Sequence, residues 1–172
     1  MNSFLNRIQK RDTAILMLFN NSIRCKILNF IMPMVTYIGS GIFAVLFCTV
    51  TFFDGFTKSL SIKTASALIV SSIIVRIIKT SVNRLRPYLI LQNLNIKKIG
   101  IDNYSFPSGH TTCAFCIAVM VSLNLPFFTL ISLLIAGCVG ISRMYLGVHY
   151  PTDVFAGILI GSATSFMMSG LF

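Results

Sequence analysis

The sequence predicts an all-α integral membrane protein: a single-domain bundle of about five transmembrane helices behind an N-terminal amphipathic helix. Three observations predict it. The 172 residues are 55% hydrophobic and only 10% charged, with a mean hydropathy of +0.85, more apolar than a soluble core of this length requires. Two long runs, Ile27 to Phe53 and Thr111 to Ser142, hold no charged residue, and a bilayer core takes about 20 apolar residues. The charges that remain collect at the ends of such runs.

Residues 1–26 do not fit a cleavable signal, because the apolar stretch Ala14 to Phe19 is short and Arg24 and Lys26 follow at once. An interfacial amphipathic helix fits better. Ile27 to Phe53 is the first span. Lys63 and Arg76 bracket a shorter apolar run, which crosses if flanking residues such as Leu60 and Ile78 join it while the cations snorkel. Residues 80–106 form the one long connection, and a loop of that length in a compact chain points to function. Asn124-Leu125-Pro126 divides the next apolar run into a helical hairpin. Its first arm, from about His110 to Leu123, rises only about 21 Å, which recesses the residues at its mouth. The last span, from about Val154 to Phe172, carries Gly157, Gly161, Ser165 and Ser169 at intervals of four, a stripe for close helix packing. Five spans put the N-terminus, the 80–106 loop and the Arg143 to Asp153 connection at one end.

The net charge of +10 does not make this a nucleic-acid protein, since the cations flank apolar spans and form no soluble basic face with aromatic platforms. Anionic lipid head groups are the natural partner. The five cysteines read as small buried hydrophobes. There is no internal repeat and no glycine-rich nucleotide loop, and oligomeric state is not legible.

Three clusters carry the chemistry. Lys79 and Arg86-Pro87 close the second span. Either they are snorkelling anchors, a role that suits Arg76 and Arg84, or they form a clamp in which Pro87 forces Arg86 out of helical geometry and aims its fork at an oxyanion. Pro107-Ser108-Gly109-His110 reads as a helix start with free N–H groups that favour an anion. Capping explains Ser108 and Gly109 but not an ionisable His110 at a membrane helix mouth. Ser142-Arg143 ends the fourth span, and His149 precedes Asp153 by four, either as a helix-start charge pair or as an imidazole beside its carboxylate. Fourteen cations face four acids, Asp12, Asp54, Asp102 and Asp153. An external anion is the missing partner.

In order and spacing, Lys79 with Arg86-Pro87, then Pro107 to His110, then Ser142-Arg143 with His149 and Asp153 resemble the three-part signature of the type 2 phosphatidic acid phosphatase superfamily. The resemblance covers Lys79 to Asp153 and departs at no key position. It implies a membrane lipid phosphatase acting on a phosphatidic acid, phosphatidylglycerol phosphate or polyprenyl diphosphate. It further implies that His149 attacks phosphorus and becomes a phosphohistidine, that Asp153 holds its other ring nitrogen, and that His110 protonates the leaving oxygen. Lys79, Arg86, Arg143, Ser108 and Gly109 would hold the phosphoryl oxygens, with no metal and no cofactor. Some relatives have six spans, with an extra N-terminal helix not expected here.

Two other classes fit parts of the pattern. A metal-dependent hydrolase would draw on His110, His149, Asp102 and Asp153, a thin donor set in a chain without glutamate. A non-catalytic protein could grip anionic head groups with the same cations, but it would not need both histidines and Asp153. Charge bias puts the site on the cytoplasmic face, whereas small bacterial members of the resembled family often face outward, so the side stays open.

Overall fold

The computed structural model describes residues 3–96 and 104–171, with side chains from residue 6 onward. The described residues are mostly helical: α1 (Ser3–Met17), α2 (Lys26–Tyr37), α3 (Gly41–Phe53), α4 (Lys58–Val82), the short α5 (Pro87–Ile90), α6 (Gly109–Asn124), α7 (Thr129–Tyr145) and α8 (Pro151–Leu171). Three stretches, Lys58–Val82, Pro126–Tyr145 and Pro151–Leu171, are each long and apolar enough to cross a membrane. Helices α2 and α3 meet that test together. The protein is therefore a multi-pass membrane bundle, as its composition predicts.

The uncharged run from Ile27 to Phe53 is not one straight helix. It breaks after Tyr37 and turns by 57°, because Gly39 packs directly on the start of α6. A Cβ there would overlap the His110 carbonyl oxygen and lie 2.8 Å from Val139 Cγ1. Ser40 restarts the chain as the cap of α3, its Oγ accepting from the Phe43 amide at 3.2 Å. Hydropathy does not register the break because every residue around it is uncharged.

Helix α4 is longer than the bracketed run suggested. Its 25 residues rise about 37 Å, so Lys63 and Arg76 lie inside it. Asn83 ends it in the left-handed region at φ 50°, a conformation asparagine tolerates, and the next residues run extended toward Pro87. Helix α6 has 16 residues, about 24 Å, less than a hydrocarbon core of roughly 30 Å. It is wrapped by α4, α7 and α8 and is the most buried helix of the bundle.

The small-residue stripe of α8 seats it on α6. A Cβ on Gly161 would overlap the Thr112 carbonyl oxygen and come within 3.0 Å of the Cys116 amide, and one on Gly157 would lie 2.8 Å from the Ser108 carbonyl oxygen. Ser165 Oγ donates to the Cys116 carbonyl at 2.9 Å. Ser169 stands outside this contact, half-exposed. Gly161→Leu should therefore cost more than the roughly 1–3 kcal/mol typical of overpacking, because backbone blocks the new side chain. A thermal melt in detergent checks this, and an unchanged midpoint would contradict the packing described.

The N-terminal helix is anchored more firmly than an interfacial helix needs to be. Leu16 is fully buried against Met144, Tyr150 and Val154. Asn20 donates through Nδ2 to the Tyr145 carbonyl at 2.8 Å and to the Asn95 carbonyl at 3.0 Å, and its Oδ1 accepts from the Asn95 amide. These bonds hold the N-terminal segment, the loop after α5 and the connection before α8 at one end of the bundle. The cysteines are less uniform than predicted. Only Cys116 is buried, Cys25 and Cys138 are exposed, and none forms a disulfide.

Candidate active site

The end of the bundle that carries these connections also gathers the three clusters. Arg86 caps α5 with φ −68° and ψ 149°, the extended geometry that a following proline dictates, and it is 4% exposed. Lys79, in the last turn of α4, donates through Nζ to the Tyr104 carbonyl at 3.3 Å. Tyr104 in turn bridges to Leu85, so the two ends of the 80–106 loop are tied beside the clamp. Residues 97–103, including Asp102, lie outside the described residues.

Ser108 caps α6. Its Oγ accepts from the Thr111 amide at 3.4 Å, and its own amide donates to the Asp153 carbonyl at 3.0 Å. A Cβ on Gly109 would meet nothing closer than Val75 Cγ1 at 4.0 Å, so packing does not demand a glycine there. The space over this first helical amide is left for an incoming group, as an anion at a helix start requires. His110 follows, half-buried and lining a cavity with Lys79 and Gly109.

Arg143 is completely buried in the last turn of α7 and donates from Nη1 to Thr36 Oγ1 at 2.7 Å. The break after α2 thus orients a cationic fork. His110 feels the charges of Arg143, Arg86 and Lys79 and lies within electrostatic reach of His149. His149 feels the same three cations.

His149 sits in the connection between α7 and α8, 1% exposed. Its Nδ1 lies 2.7 Å from the Ser105 carbonyl oxygen. A carbonyl only accepts, so Nδ1 carries the proton and the lone pair is left on Nε2. Burial, and then the charges of Arg143, Arg86 and Lys79, push its pKa well below the ordinary value. The imidazole is neutral at physiological pH. Asp153 Oδ2 stands 3.6 Å from Nδ1, within ion-pair range but beyond a hydrogen bond.

Asp153 is held instead by groups the sequence left unassigned. Its Oδ2 accepts from the Tyr150 amide at 2.7 Å and its Oδ1 from Arg84 Nη1 at 2.8 Å. Arg84 is not a snorkelling anchor. Its other nitrogen reaches Asp12 Oδ2 at 2.7 Å and Gln9 Oε1 at 2.7 Å, and its guanidinium stacks over Tyr150 at 4.0 Å. Asp12 also accepts from the Thr152 amide and hydroxyl. Asp12, Arg84, Ser105 and Thr36 are the site residues that sequence reasoning missed. The scarcity of acids could have pointed to Asp12, whereas the backbone carbonyl of Ser105 leaves no trace in a residue pattern.

No three histidine, cysteine, aspartate or glutamate side chains among the described residues are placed to hold a metal ion. The cavity beside His110 has a volume of about 860 Å³ and runs between α3, α4 and α6. Away from Lys79 its wall is Val45, Cys48, Ala65, Leu68, Ile69 and Ile73. Val45, Ile69 and Ile73 are more than half exposed on the outer surface of the bundle, so the cavity opens sideways into the apolar zone. Its size suits a ligand of drug-like bulk or larger.

The chain is similar in sequence and fold to known proteins. The model of the PAP2 superfamily matches residues 60–172. Phosphatidylglycerophosphatase B of Bacillus subtilis (strain 168) is 32% identical over 153 residues, which are 83% of this chain and 68% of that protein. Undecaprenyl-diphosphatase of Sulfolobus acidocaldarius is 30% identical over 112 residues, 64% of this chain and 54% of that one. The crystal structure of Aquifex aeolicus LpxE superposes with a TM-score of 0.84 at 30% identity, covering 92% of this chain and 94% of that one.

Proposed function

Because this chain belongs to the PAP2 superfamily, and is thereby a phosphoric ester hydrolase of the membrane, we propose that it removes the terminal phosphate of a lipid phosphate or diphosphate through a phosphohistidine on His149, without a metal. The observation that carries this reading is the 2.7 Å contact of His149 Nδ1 with the Ser105 carbonyl oxygen. With Nδ1–H given to the Ser105 carbonyl, Nε2 keeps its lone pair within the field of Arg143, Arg86 and Lys79.

In the first step Nε2 attacks phosphorus and a P–N bond forms as the P–O bond to the lipid breaks. The departing oxygen takes a proton from His110, which lines the same cavity. In the second step His110 accepts a proton from water, the resulting hydroxide attacks phosphorus, and the P–N bond breaks to give inorganic phosphate and free His149. Lys79, Arg86 and Arg143 neutralise the charge on the equatorial oxygens in both steps, with Ser108 and the Gly109 amide. Asp153, 3.6 Å from Nδ1, stabilises the positive charge that His149 acquires.

The sideways cavity favours a lipid over a soluble ester, since its apolar wall would hold a chain while the phosphate meets Lys79 and His110. The site and the N-terminal helix share an end of the bundle. The test is phosphate release by purified protein in detergent from phosphatidic acid, phosphatidylglycerol phosphate and a polyprenyl diphosphate. Release should survive EDTA and be blocked by vanadate, which adopts the trigonal bipyramid of the transferring group. Activity lost in EDTA and restored by zinc or magnesium would overturn the metal-free mechanism. Binding of these lipids without turnover would favour a head-group receptor.

A further inference from the structure

Two cations inside α4, Lys63 and Arg76, have no place in the chemistry above, and of these Arg76 lines its cavity. Arg76 lies in α4, three residues before Lys79, and its side chain makes no hydrogen bond or ion pair to any described residue. It is exposed, and it lines the same cavity as Lys79, Gly109 and His110. Helical spacing explains why: Ala65, Ile69, Ser72, Arg76 and Lys79 recur at intervals of three and four, and all five line the cavity. The stripe therefore passes from apolar residues, through Arg76, to the phosphate clamp. Arg76 is itself exposed, as are Ile69 and Ile73 on the cavity's open side.

We propose that Arg76 is a subsite for a second anionic phosphate, placed between the phosphate that is transferred and the lipid chain. This rests on the phosphatase reading of the site. A lipid whose terminal phosphate meets Lys79 and His110, and whose chain lies along Ala65 to Ile73, must pass its linking atoms across Arg76. The axial rise from Arg76 to Lys79 is about 4.5 Å, and their side chains are neighbours on one helix face. Two phosphates joined through one oxygen fit that spacing. A phosphodiester separated from the terminal phosphate by a glycerol carries the same charge somewhat farther along. A plain phosphatidic acid offers only neutral ester groups there. Arg76 cannot lose its charge, and an anionic group in the cavity would balance it. Subsite and substrate thus share one requirement, a lipid with two phosphates.

The experiment compares kcat/KM of wild type and Arg76→Gln on three lipids: a polyprenyl diphosphate, phosphatidylglycerol phosphate and phosphatidic acid. The ratio of two-phosphate to one-phosphate activity should fall about ten- to a hundredfold, the range of a charge-assisted hydrogen bond, mainly through KM. Arg76→Lys should recover part of it. If the fall is confined to the diphosphate, the second phosphate is the directly linked one. If it is confined to phosphatidylglycerol phosphate, it is the phosphodiester. Equal losses on all three lipids would make Arg76 a general anchor and overturn the subsite, as would no change in the ratio. Phosphatidic acid serves as the internal control for folding. Wild type that turns over phosphatidic acid but shows no dependence of the ratio on Arg76 overturns the subsite alone. No turnover of any of the three overturns the phosphatase reading with it.

Discussion

His149→Ala is expected to abolish phosphate release and any acid-labile phosphoenzyme, a loss of more than about 10⁴-fold given what removing a nucleophile costs in comparable covalent mechanisms. The expectation follows from the atoms around the ring. Nδ1 is committed to the Ser105 carbonyl, and burial among Arg143, Arg86 and Lys79 keeps the imidazole neutral. Nε2 is then a nucleophile that needs no base to free its lone pair. His110→Ala should fail differently. It should lose about 10²–10⁴-fold on lipid substrates yet still form phosphoenzyme from an aryl phosphate, whose leaving group departs without a proton. Acid-quenched labelling with a radioactive aryl phosphate reads both variants. A fully active His149→Ala protein would refute the assignment of nucleophile, and equal labelling losses in the two variants would refute the division of roles.

The parts legible in the sequence were those that depend on residue type and spacing. Pro87 fixed the backbone of Arg86, Asn124-Leu125-Pro126 divided α6 from α7, and Gly157, Gly161 and Ser165 packed α8 on α6, because each acts through local sterics that any context preserves. The bend between α2 and α3 was hidden, since a break among uncharged residues leaves hydropathy unchanged and its cause, the contact of Gly39 with the His110 carbonyl, joins segments 71 residues apart. The same applies to the site. Lys79, Arg86, His110, Arg143 and His149 stand out as ionisable groups in an apolar chain, but what orients them does not. Thr36 on Arg143 and the Ser105 carbonyl on His149 are a hydroxyl and a backbone atom, which no charge pattern marks. Asp153 was expected to hold His149; it stands 3.6 Å from Nδ1, in ion-pair range, while its hydrogen bonds go to Tyr150 and Arg84.

Arg84 is where the second large effect is expected. It joins Asp12 of α1 to Asp153 of α8, and these acids are 3% and 0% exposed. Replacing it with glutamine leaves two buried carboxylates facing one neutral amide. Removing one partner of a buried pair typically costs about 3–5 kcal/mol. The melting temperature in detergent should therefore fall sharply, and Asp153 should tend to take up a proton or shift toward other donors. Either change removes the negative charge beside His149 that offsets its developing imidazolium. In protein kept below its melting transition, kcat should fall by about ten- to a hundredfold with KM nearly unchanged, because Lys79, Arg86 and Arg143 still hold the phosphate. Asp12→Asn should show a weaker version of the same split, since Arg84 keeps Asp153 but loses its other anchor. Arg84→Lys should recover stability more than rate, because a point charge can neutralise the acids without spanning both at 2.7 and 2.8 Å. Should kcat in folded Arg84→Gln stay within twofold of wild type, the Asp12–Arg84–Asp153 chain holds α1 to the bundle and does nothing for the chemistry.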